Sequence, residues 1–95
     1  MIILRVEHKI ENFEKWKELF DSDPINREQS GVQNYDIFKL VDNPNYVIIE
    51  LEFEDQETAK KALAALNKVW AGIKEFKINP KTQIMERVES ANLNS

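Results

Sequence analysis

Ninety-five residues make one domain with a single core, small enough that a partner subunit adds usefully to the apolar surface buried. The chain has no cysteine, which excludes disulfides, thiolate metal sites and a thiol nucleophile, and suits a reducing, cytoplasmic setting. A formal net charge of −4, with lysines scattered among glutamates, repels phosphate backbones, so nucleic acid is not an expected partner.

The chain starts "MIILRVEHKI", without the basic start and apolar run of a secretion signal, and no stretch approaches the roughly 20 apolar residues of a membrane span. No membrane is expected. Residues 2 to 8, "IILRVEH", set Ile2, Leu4, Val6 and His8 against Ile3, Arg5 and Glu7, the period of a strand. From Asn12 the period changes. Asn12 is a suitable helix cap, and Phe13, Trp16, Leu19 and Phe20 recur at three- and four-residue spacing up to about Asp21. Asp23 and Pro24 then stop the helix, because proline cannot continue the hydrogen-bond ladder. A loop or short extra turn follows, carrying Arg27 to Gly31.

Residues 32 to 41, "VQNYDIFKLV", read as a second strand, "DNPN" at 42 to 45 as a tight turn, and "YVIIELEFE" as a third strand. So short a connection demands an antiparallel hairpin. Val47, Ile49, Leu51 and Phe53 share one face of the third strand; Tyr46, Ile48, Glu50 and Glu52 share the other. Asp55 is placed to cap a second helix, whose apolar stripe runs from Ala59 and Ala62 through Leu66, Val69 and Trp70 to about Ile73. After a break around "INPK", residues 81 to 89 read as the last strand, with Ile84 and Val88 on one side and Met85 and Arg87 on the other. Residues 1–90 are expected to form one domain, with 91–95 a frayed tail.

The order β-α-β-β-α-β predicts an α+β ferredoxin-like sandwich, a four-stranded antiparallel sheet with two helices on one face. The other face then presents Ile3, Tyr46, Ile48 and Met85 among Arg5, Glu50, Glu52 and Arg87. Apolar surface of that extent is rarely left in water, so a homodimer through the open sheet face is expected. The charges there have two readings: mutual pairing of arginines with glutamates, or the lining of a polar cavity for an anionic or hydroxylated ligand.

This order over residues 2 to 89, with "VEHKIENFEKWKELFD" followed by "NREQSGVQNYDIF", resembles the dimeric α/β-barrel superfamily, which includes antibiotic-biosynthesis-type monooxygenases and polyketide-cyclase-like proteins. The resemblance implies a dimer of stacked sheets. It does not choose a reaction, since the superfamily also holds isomerases, dehydratases and haem-degrading enzymes. The haem-degrading members place a ligand histidine on the second helix, whereas "DQETAKKALAALNKVW" has none, so haem is not expected. The cofactor-independent monooxygenases use asparagine, tryptophan and polar side chains around an aromatic substrate; Asn34, Trp16 and Trp70 are similar residue types. No cofactor and no metal is expected.

The residues themselves suggest a pocket between sheet and helices. His8, the only histidine, shares the parity of Ile2, Leu4 and Val6 and so points to the helix side, as a general acid or base. Trp16, Phe20 and Trp70 would hold a ring, and Arg27 would anchor a carboxylate or enolate oxygen. Tyr35 and Asp36 face opposite ways, so only one joins the pocket, with Tyr35 the candidate. Each has a purely structural reading as well: His8 bonding a loop carbonyl, the aromatics filling the core, Arg27 a solvated loop charge, Tyr35 a half-buried sheet residue. Three functions fit: a cofactor-independent monooxygenase or cyclase acting on a small aromatic or polyketide-like molecule, a noncatalytic small-ligand binding or sensing dimer, or an interaction module.

Overall fold

The branched, alternating residues at the start of the chain form β1 (Ile2–Lys9), and a computed structural model that describes residues 1–72 and 80–94 builds the remaining elements around it. They are α1 (Phe13–Asp21), β2 (Asn34–Leu40), β3 (Asn43–Phe53), α2 (Gln56–Gly72) and β4 (Lys81–Glu86). The sheet runs β2-β3-β1-β4, all neighbours antiparallel. This is the ferredoxin-like order, with the sequence-adjacent strands β2 and β3 as a hairpin on one side and β1 and β4 paired on the other, α1 linking β1 to β2 and α2 linking β3 to β4. The expected tail of α2 at Ile73 and the start of the break at 78–79 lie outside the described residues.

Both helix starts follow from their caps. Asn12 accepts from the Lys15 amide at 3.0 Å. Asp55 accepts from both the amide and the hydroxyl of Thr58 at 2.7 Å, and those bonds hold its carboxyl below the usual carboxylate range. α1 ends as the break at Asp23 and Pro24 requires: the Ser22 amide reaches back to the carbonyls of Glu18 and Leu19, and Asp23 takes φ +55, the left-handed conformation that Asp tolerates better than most.

Two sequence expectations need correction. The turn between β2 and β3 is Val41–Asp42, with Leu40 opposite Asn43 and a bulge between Lys39 and Leu40. β3 therefore begins earlier than expected, through Pro44, whose missing N–H is tolerable at the strand's first residues. The last strand stops at Glu86. Val88 was expected to face the core but lies beyond the pairing and is 92% exposed.

The core sits between sheet and helices. Leu4 and Val6 of β1 join Val47, Ile49, Leu51 and Phe53 of β3, Trp16 of α1, and Ala59 and Ala62 of α2. Phe53, Leu4 and Val47 are fully buried, each worth about 1.5–3 kcal/mol of burial. The two alanines let α2 settle close to the sheet.

On the open face, register sets the residues in rows. Asp36, Glu50, Arg5 and Gln83 form one; Phe38, Ile48, Glu7 and Lys81 form the next; Asn34, Glu52, Ile3 and Met85 form a third. Ile3 is buried even here, while Phe38, not foreseen on this face, is 46% exposed. Arg87 donates to Glu52, which lowers the glutamate's pKa. Arg5 lies 3.1 Å from Glu7, on its own strand, and not against Glu50. Glu7 in turn accepts from the Tyr46 hydroxyl at 2.7 Å, a bond that holds the phenol's proton on.

Candidate functional site

Strand parity carries His8 to the helix side, opposite Val47, where it is the one buried polar residue among those described. Its Nδ1 lies 3.0 Å from the Lys9 carbonyl oxygen. A carbonyl only accepts, so Nδ1 carries the proton and Nε2 keeps its lone pair. Burial pushes the imidazole pKa below its ordinary value, and the Lys9 bond opposes this in part. His8 is therefore a neutral base at pH 7.

From His8 an aromatic series runs outward along α1. The Trp16 ring lies 6.3 Å from the imidazole, centroid to centroid, and stacks on Phe20 at 5.3 Å. Phe20 meets Tyr35 edge-on at 5.1 Å. The spacing of residues 13, 16 and 20 on one helix face explains the first part; Tyr35 joins because it pairs with Leu51 and so faces the helices.

Arg27 closes the outer end. Its guanidinium lies 4.0 Å from the Phe20 ring centroid and 5.1 Å from that of Tyr35. Nη1 donates to the Phe20 carbonyl at 2.6 Å, and Nε is 3.6 Å from the Asp23 carboxylate. Asp23 also accepts the Arg27 amide at 2.8 Å. A cation at the C-terminal end of α1 suits the helix dipole. Arg27 is thus no solvated loop charge but a clamp tying the end of α1 to the following loop.

A half-open cavity of about 80 Å³ lies between these groups and α2, lined by His8, Trp16, Phe20, Arg27 and Trp70 with apolar neighbours. Five of the six expected site residues come together on it. Tyr35 does not reach the lining and stands behind Phe20. Asn34 pairs with Glu52 on the far face of the sheet, so no asparagine takes part. Pro24 and Ile25 of the loop and Leu66 and Val69 of α2 also line the cavity; α2's apolar stripe could have signalled the last two, but no period marks the loop residues.

The lining is almost wholly apolar apart from the imidazole and guanidinium. A cavity of roughly 150 Å³ is what holds a benzene ring, so a ring enters only if a half-buried side chain such as Phe20 or Trp70 swings aside. Among the described residues no group of three or more His, Asp or Glu is placed to hold a metal, and no helix is long and apolar enough to cross a membrane.

No family model matches the sequence, and no curated protein matches it significantly. Solved structures do match, at low identity. A candidate antibiotic biosynthesis monooxygenase from Deinococcus radiodurans superposes with a TM-score of 0.75 at 15% identity, covering 98% of each chain. SnoaB, a cofactor-independent oxygenase from Streptomyces nogalater, gives 0.74 at 11% identity over 94% of each. A dimeric ferredoxin-like protein from an uncultured marine organism gives 0.66 at 12% identity, covering 95% of this chain and 97% of its own. At such identities the likeness is one of fold, and the chain has the fold of the antibiotic biosynthesis monooxygenase-like and dimeric ferredoxin-like proteins.

Proposed function

We propose that this chain is a homodimer, associating through its open sheet face, and that it oxygenates a small aromatic or polyketide-like molecule without a cofactor, with His8 as the base. The observation that carries the reading is the imidazole itself: buried, neutral, its Nδ1 proton held by Lys9, and its Nε2 taking no hydrogen bond from a described residue. A base in an apolar, aromatic-walled cavity deprotonates an acidic ring C–H or phenol without competition from water.

The electron-rich anion so formed reacts with dioxygen directly. At a ring methylene two C–H bonds break and one C=O forms; the second oxygen atom leaves as water, and the four electrons dioxygen accepts come from the substrate. Trp16, Phe20 and Trp70 supply ring faces. Arg27 carries the positive charge nearest the cavity and favours an anionic oxygen there, although its Nη1 is already committed to Phe20.

The test is oxygen uptake and quinone absorbance with a panel of bicyclic and tricyclic phenols. Wild-type protein is expected to turn over at least one of them. His8→Gln is expected to slow turnover by about a hundredfold or more, with affinity for the same ligand changed by less than about threefold. Ligand binding without oxygen uptake by wild-type protein would replace this reading with a noncatalytic binding role.

A further inference from the structure

Phe20 sits in the cavity wall much as a bound ring would. Its ring stacks on Trp16 at 5.3 Å between centroids, and the Arg27 guanidinium lies 4.0 Å from the Phe20 centroid. An indole face on one side and a cation on the other are the contacts an aromatic guest would make there. The cavity, about 80 Å³ as it stands, falls short of the roughly 150 Å³ that holds a benzene ring, so a side chain must give way. Phe20 is half-buried, on the last turn of α1, and unlike Trp70 it has ring contacts to both Trp16 and Arg27. Moving it uncovers both at once. Arg27 does not leave with the ring, because its hold is on backbone and loop: Nη1 donates to the Phe20 carbonyl at 2.6 Å, and Nε lies 3.6 Å from the Asp23 carboxylate. Rotation of the Phe20 side chain about χ1 leaves that carbonyl in place. A guanidinium carries five N–H donors, and among the described residues none accepts a hydrogen bond from Nη2. A fixed cation with donors to spare therefore lines the slot.

We propose that Phe20 is a removable plug and that an aromatic ligand bearing an anionic oxygen displaces it: the ligand ring takes the place of the Phe20 ring on Trp16, and its oxygen pairs with Arg27. This deepens the reading above and rests on its assignment of the cavity as a ring site. A neutral ring that displaces Phe20 regains only the kind of contact that was given up. An anionic one gains a hydrogen bond between charged partners, roughly twice as strong as a neutral bond, at a part-buried site where salt screens the pair less than it would at the surface. The exchange thus selects for charge as well as for shape, with Phe20 and Arg27 as the specificity-determining residues.

Isothermal titration calorimetry with naphthoate and its neutral analogue naphthamide tests this on wild type, Arg27→Gln and Phe20→Ala, each first shown to be folded by circular dichroism. Wild type is expected to bind naphthoate at least about tenfold tighter than naphthamide. Arg27→Gln is expected to shrink that preference to under about threefold, through lost naphthoate affinity. Phe20→Ala keeps the carbonyl that holds Arg27, and is expected to tighten both ligands by at least about threefold with the preference retained. In wild type, NMR is expected to show the Trp16–Phe20 ring contacts replaced by contacts between Trp16 and naphthoate at saturation, a readout that needs no variant to fold. Equal affinity of wild type for the two ligands overturns the charge selection, and Trp16–Phe20 contacts that persist in the naphthoate complex overturn the plug; oxygen uptake with the phenol panel leaves the oxygenase reading standing in either case. Failure of both ligands to bind wild type and Phe20→Ala also overturns the proposal, and if the phenols are left unreacted as well, the oxygenase reading falls with it.

Discussion

On the helix-covered face, β1 and β3 present Leu4, Val6, His8, Val47, Ile49, Leu51 and Phe53, all buried. One residue along the same strands, the open face presents Arg5, Glu7, Tyr46, Ile48, Glu50 and Glu52. One alternating sequence thus writes two surfaces governed by different physics. The covered face is stabilised by apolar area and close contact, so truncation there leaves a void. The open face is organised by charge pairs in a wetter setting, where each pair is worth little to the isolated fold. His8 belongs to the first face by position and to the second by chemistry, which is why it stands out.

Truncation measures that contrast most directly. Phe53→Ala is expected to lower unfolding free energy by about 3–5 kcal/mol, whereas Phe38→Ala on the open face should cost under about 1 kcal/mol in the monomer. Urea titration monitored by circular dichroism checks both, and equal losses would erase the distinction between the faces. Next in size is Arg27→Ala, expected to cost about 1–2 kcal/mol through the lost Phe20 carbonyl bond and ring contact; Arg27→Lys should recover only part, because an ammonium cannot lie flat on the ring and also reach the carbonyl.

The smallest effect expected is that of pH on His8. Its folded pKa lies below the unfolded value, so the unfolded chain binds the extra proton first on acidification. The stability tied to the neutral imidazole is complete above the unfolded pKa, about 6.5, and is lost as pH falls through that value toward the folded pKa. Urea midpoints measured on either side of that window should fall on the acid side, and His8→Gln should flatten the trend. An NMR titration placing the His8 pKa at or above 6.5 would contradict the assignment of a neutral base.

Much of this was legible in the sequence because it rests on period. Alternation placed His8 beside Val6 and opposite the helices, and three- and four-residue spacing placed Trp16, Phe20 and Trp70 on the faces that meet it. Asn12 and Asp55 announced their caps. What the sequence concealed depends on register and backbone shape. The facing of β2 follows from the Val41–Asp42 turn and the bulge at Lys39, so the choice of Tyr35 over Asp36, and the exile of Asn34, could not be read from β2 alone. Arg27 owes its hold to a carbonyl oxygen seven residues earlier and to the left-handed Asp23, neither of which has a sequence period. Val88 has the parity of a core residue but lacks a partner strand at its level.

The shortness of β2 has a further consequence. β2 is an edge of the sheet, and a long regular edge invites another chain to add itself as a fifth strand. The residues left unmatched by the register shift, Pro44 to Tyr46, lie on the inner strand β3, and on β2 itself Lys39 places a charge near the hairpin end. An intruding strand would find a template of only seven residues, Asn34–Leu40, and so short an edge with a lysine near its end is a poor seed for edge-to-edge aggregation.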